Sequence, residues 1–185
     1  MTRPVERSEI VDYQTYEELR ADIREAVMKE KEHRRFHVGP YLTFLFETHA
    51  TMRYQIQEMM RVERMARESD IRHELETYNA LLGDEGELGC CLLVEIDGKE
   101  ERDRLLREWR ELPEHVYMRF ADGSRAQAQY DSAQVSDGKM SAVQYLKFKV
   151  GDRKPVAVGS SLPGLEVEAL LTPEQQAALG ADLVH

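Results

Sequence analysis

The chain has 185 residues and a mass of 21.4 kDa, the size of one ordinary domain. Hydrophobic residues make up 42% and charged residues 32%, a globular mixture rather than a disordered one. A formal net charge of −10 argues against a surface that tracks nucleic-acid phosphates. No apolar run of roughly 18 residues is present to span a bilayer. The first ten residues also lack the apolar stretch of a signal peptide, so a soluble, cytoplasmic protein is expected.

Thr15-Tyr16-Glu17-Glu18 has the form of a capping box. Tyr16, Leu19, Ile23, Ala26 and Val27 then recur at helical spacing, which predicts a helix reaching Lys31. Gly39-Pro40 marks a turn, and Tyr41 to Phe46 reads as a short strand. Two helices are expected next, over 51–67 and over 69–79, the second with Ile71, Leu75 and Tyr78 on one face.

Beyond an acidic, glycine-rich loop the character changes. Leu88 to Ile96 is a strand candidate closed by Asp97-Gly98, and Glu100 to Leu112 is an amphipathic helix stopped by Pro113. His115 to Ala121 and Arg125 to Tyr130 flank Asp122-Gly123-Ser124, a hairpin turn. Ser141 to Val150 alternates as a strand, and Pro155 to Val158 reads as one more. Thr172-Pro173-Glu174-Gln175 opens a short helix over 173–180. The expected fold is α+β, one domain over 1–185. A helix-rich part, 1–82, packs on a mainly antiparallel sheet formed by a strand-rich part, 88–171.

The helix predicted over 51–67 carries the densest signal. At about 100° per residue, Met52, Ile56, Met59, Met60, Val62 and Ala66 gather on one broad face. Gln55 and Glu63 fall inside that arc, and Glu58 lies near its edge. Either these polar groups are satisfied by structural partners, such as Arg67 for Glu63, or they line a polar pocket beneath the helix together with Glu47. A buried carboxylate there would be suited to acid–base work or to metal ligation, and Arg61 would neutralise an anionic substrate. Cys90 and Cys91 sit in a strand-like run and read as small buried hydrophobes. The chain has no zinc spacing, P-loop, GxGxxG or GxSxG.

Val38-Gly39-Pro40, Phe46-Glu47 and Thr51 lead into Tyr54-Gln55-Ile56-Gln57-Glu58-Met59-Met60-Arg61-Val62-Glu63-Arg64. Further on come Glu74-Leu75, Tyr78-Asn79, Ser141-Ala142-Val143 and Asp182-Leu183. In this order the blocks resemble a bacterial family known only as a domain of unknown function. The resemblance implies no activity. It implies a setting, because members tend to be encoded near rubrerythrin-like and iron–sulfur oxidoreductase proteins. Where the family tends to carry a histidine after Ser-Ala-Val, this chain has Gln144, able to hydrogen-bond a ligand but a poor transition-metal ligand. Near the end, Ser161-Leu162-Pro163 stands where the family tends to have Asp-His-Pro.

Three functions are therefore weighed. The first is an accessory or small-ligand-binding protein linked to redox physiology, with Gln55, Glu47 and Gln144 as ligand contacts and a redox protein or a small molecule as partner. The second is a carboxylate-based enzyme, metal-dependent or not, with Glu63, Glu58 and Arg61 acting on a small anionic substrate. The third is a structural subunit that forms a homodimer through its methionine-rich helix. Cofactor and metal stay open.

Overall fold

The computed structural model describes residues 3–136 and 138–183. Helix α1 spans Tyr13–Glu32, because Asp12 rather than Thr15 is its N-cap: the carboxylate accepts the Gln14 and Thr15 N–H groups, each at 3.0 Å. An unforeseen strand, β1 (Arg35–Val38), then turns at Gly39 (φ +62°) into β2 (Leu42–Phe46). Thr48 caps α2 (His49–Glu63) by accepting the Thr51 N–H. This helix stops at Glu63 instead of running to Arg67, since Arg64 takes the left-handed conformation (φ 51°) that ends a helix. Helix α3 follows at Glu68–Asn79, and β3 at Glu87–Val94.

The single helix expected over 100–112 divides into α4 (Lys99–Glu108) and α5 (Leu112–His115), with Pro113 in the first turn of α5. The hairpin forms as expected, from β4 (Val116–Arg119) and β5 (Arg125–Tyr130). A small ribbon, β6 (Val135–Ser136) with β7 (Lys139–Met140), precedes β8 (Val143–Lys149). Then come β9 (Ala157–Leu162), β10 (Leu165–Leu170) and α6 (Pro173–Leu183).

Eight strands make one antiparallel sheet in the order β1-β2-β3-β8-β5-β4-β9-β10. It curls until β1 and β10 lie side by side without a ladder between them, giving a nearly closed barrel. Alternate residues fill the interior. Phe46 meets Phe36 at 5.4 Å and Phe148 at 6.0 Å, and Val38, Phe44, Leu92 and Leu146 surround them. At the hairpin end of β1 and β2, Trp109 meets Tyr41 at 5.3 Å, and Leu105, Leu106 and Leu112 join the same core. Leu179 of α6 enters that core too, and Arg34, at the opposite end of β1, holds the helix through Asp182.

Helices α2 and α3, with Val5 and Ile10 from the segment before α1, keep a smaller core of their own, built around Met52, Ile56, Met60, Ile71 and Leu75. Each such buried side chain contributes about 1.5–3 kcal/mol relative to exposure. The fold is thus α+β, with helices concentrated in the first half and strands in the second. No helix among the described residues is long and apolar enough to cross a membrane.

Candidate functional site

The structure separates the polar residues that the helical wheel grouped. Glu58 lies between α1 and α2, where it accepts the Tyr16 hydroxyl at 2.7 Å and two Arg20 N–H bonds at 2.7 and 3.1 Å. Burial alone would raise its carboxyl, but the Arg20 and Tyr16 donors outweigh that and hold it below the usual value. Arg61 extends the same strut, to Glu17 at 3.4 Å and Glu58 at 3.6 Å. Gln55 is half-buried.

Glu63 is exposed, as is Val62, because the buried side of α2 runs through Met52, Ile56, Gln57 and Met60 instead, and Ala66 is exposed beyond the end of the helix. The arc placed Glu63 among apolar residues, and the structure places it instead on the border of an open polar cleft of 520 Å³ with His73 and Glu74. The buried glutamine of α2 is Gln57, at 2% exposure. Its amide pairs with the Val11 backbone, a partner too distant in sequence for the wheel to reveal.

Gln144 is fully buried inside the barrel. Its Nε2 donates to the Ser141 carbonyl at 2.8 Å, and its Oε1 has no partner among the described residues. Its neighbour Tyr145 points outward and is 42% exposed, as strand alternation requires. Gln144 and Glu47 therefore lie on opposite sides of the sheet.

Glu47 belongs to a cluster on the outer face. The register sets Cys91 opposite both Leu45 and Tyr145, while the Glu47 N–H donates to the Gly89 carbonyl at 2.9 Å and Gly89 pairs with Lys147. Two rows result, one with Cys91 and Tyr145, the other with Glu47, Gly89 and Lys147. Thr51, in the first turn of α2, donates its hydroxyl to Glu47 at 2.5 Å. Burial pushes the Glu47 carboxyl up, against the pull of Thr51 and the charge of Lys31. Burial likewise pushes the Cys91 thiol up to about 12, with the Glu47 charge adding to it. The Tyr145 hydroxyl rises for the same reasons, first burial and then Cys91, Tyr78 and Glu47.

The turn that follows α3 covers part of this face. Gly89 makes room for it, because a Cβ there would stand 2.1 Å from the Leu81 carbonyl oxygen. On the far side of Leu81 opens a groove of 470 Å³, lined by Leu81, Tyr145, Lys147, Gln129, Gln134 and Asp131, among others. Gln134 fixes its wall by taking the Tyr145 N–H at 2.6 Å and donating to the Tyr145 carbonyl at 3.0 Å. Asp131 accepts the Ala133 N–H in its own turn, and it and Lys147 are the two charged residues of this lining among the described residues. No three His, Cys, Asp or Glu side chains among the described residues gather closely enough to hold a metal ion.

A helical layer against a nearly closed antiparallel barrel, with an open groove at their junction, defines the class: an α+β barrel protein. The chain belongs to the family described as Protein of unknown function (DUF3501), whose model matches residues 4–183. A crystal structure of a novel protein of unknown function from Burkholderia pseudomallei is similar in fold and sequence. The two share 28% identity at a TM-score of 0.89, over 99% of this chain and 100% of that one. No curated protein matches the chain.

Proposed function

We propose that the protein is an accessory protein that binds a small, flat, anionic molecule in the groove beside Tyr145, in a redox setting. The observation that carries this reading is the groove itself, with an exposed aromatic ring and a cation on apolar walls. Its 470 Å³ falls within the range of about 300–1,000 Å³ usual for ligand pockets. The redox link comes from the family resemblance and attaches to the ligand or a partner protein. It does not attach to the cysteine pair, whose thiols burial keeps protonated.

Titration with anilinonaphthalene sulfonate, a flat apolar probe with one negative charge, tests the reading. Saturable one-to-one binding is expected, abolished by Tyr145→Ala and weakened about tenfold by Lys147→Glu, about 1.4 kcal/mol. Binding that ignores both substitutions in folded protein would overturn it.

A second reading rests on Glu47, a buried carboxyl next to Cys91 and Tyr145. In an enzyme of this design Glu47 would supply the acid, in place of the Glu58, Glu63 and Arg61 set. Glu47→Gln would then abolish turnover while leaving probe binding intact, whereas in a pure binding protein it changes neither.

A further inference from the structure

Residues 3–11 are held against the helical layer as a bound peptide would be. The Asn79 side chain accepts the Val5 N–H at 2.8 Å and donates to the Val5 carbonyl at 3.0 Å. Gln57 does the same for Val11, at 2.9 and 3.1 Å. Two amides thus offer the segment what a neighbouring strand would, reading its backbone without regard to its side chains. Between them Arg7–Glu9 makes a single 3-10 turn, and Ile10 returns to extended backbone.

Side chains supply the selectivity. Val5 and Ile10, 4% and 5% exposed, insert among Met52, Ile56 and Met60 of α2 and Ile71 and Leu75 of α3. Methionines make such a pocket adaptable. Arg7 grips Glu68 at 2.9 and 3.2 Å, Glu9 meets His49 at 3.0 Å, and Arg53 donates to the Glu9 carbonyl at 3.0 Å. Main-chain bonds together with pockets for alternate side chains are the signature of peptide recognition. The segment contributes to the smaller core alone and not to the barrel core, so its departure leaves the barrel packed.

We propose that the face formed by α2 and α3 is a peptide-binding surface, occupied in cis by residues 3–11. In trans it accepts a partner protein's segment with two branched aliphatic residues spaced as Val5 and Ile10 and with arginine and glutamate between them. The tethered segment competes at about millimolar effective concentration, so the surface opens to a partner only when that competitor is displaced. This assignment goes beyond the ligand groove, and its test reads peptide binding rather than the sulfonate probe.

The test uses the full chain carrying Val5→Asp and Ile10→Asp, which evicts the segment without touching the surface. Fluorescence anisotropy then follows a labelled peptide of residues 3–12. Saturable binding is expected, at least about tenfold tighter than to the wild-type chain and lost when Gln57→Leu and Asn79→Leu are added. A folded double variant that does not bind the peptide overturns the proposal. Should the double variant fail to fold, amide exchange in the wild-type chain decides. Val5 and Val11 amides that exchange at least about tenfold faster than those of Cys90 and Leu92 mark a segment that opens by itself. Equal rates mark a fixed part of the fold and overturn the proposal.

Discussion

Arg34 and Asp182, 148 residues apart, close a two-bonded ion pair with both N···O distances at 2.8 Å and both side chains 11% exposed. The pair fastens the last helix to the chain just before the first strand. Asp182→Ala removes both short bonds and leaves Arg34 with Glu30 alone, at 3.3 Å, a loss of about 2 kcal/mol in urea unfolding. A change below about 0.5 kcal/mol would show that water replaces the carboxylate at no cost.

Glu58 should stabilise the protein above the ordinary carboxylate value of 4.5, because Arg20 and Tyr16 favour its charged form in the fold. That contribution is lost as pH falls through the lowered folded value. Glu58→Gln is therefore expected to cost about 1–2 kcal/mol near pH 7, and the gap from wild type should close in acid. Thermal unfolding of both proteins across pH measures it.

Glu47 should behave in the opposite sense. Burial favours its protonated form in the fold, so its contribution is full below 4.5 and is lost as pH rises through the raised folded value. Glu47→Gln keeps the Thr51 contact, since the amide oxygen still accepts the hydroxyl. The variant should match wild type near about pH 4 and melt higher near about pH 8. A lower melting temperature at the higher pH would show that the ionised carboxylate has a partner worth more than its burial costs.

Cys90 faces the barrel core and Cys91 the helical layer, so the adjacent thiols diverge and both are pushed up by burial. A chromogenic disulfide reagent should modify either thiol only through unfolding, at a rate independent of reagent concentration. Modification of one thiol within minutes, proportional to reagent, would show that Cys91 is reachable from solvent.

Local signals in the sequence located most elements, and non-local contacts account for those that were missed. Asp122-Gly123-Ser124 and Thr172-Pro173 carry their own turn and cap chemistry, and the hairpin and the last helix stand where those signals put them. Strand β1 escaped because Arg35–Val38 is too short to show a period against the helix before it. Within the candidate site, Glu47 was legible as a polar residue facing away from Leu42, Phe44 and Phe46. Its neighbours Thr51, Cys91, Tyr145 and Lys147 were not, because strand pairing and the covering turn after α3 bring them together. Glu63 reads as inward when the face is centred between Val62 and Ile56, whereas the buried side of α2 also takes in Gln57 and Tyr54, polar and amphipathic residues that the hydrophobic pattern does not mark as inward.

The seating of Leu179 and Asp182 also constrains how the protein is made. Strand β3 pairs with β8, and one end of the barrel is secured by α6, which follows every strand of the sheet. A growing polypeptide can assemble α1, α2 and α3 as soon as they emerge, but the barrel must wait for β8 to β10 and α6. Its apolar strand faces stay uncovered meanwhile, which makes premature termination before α6 a route to aggregation rather than to a shortened working protein.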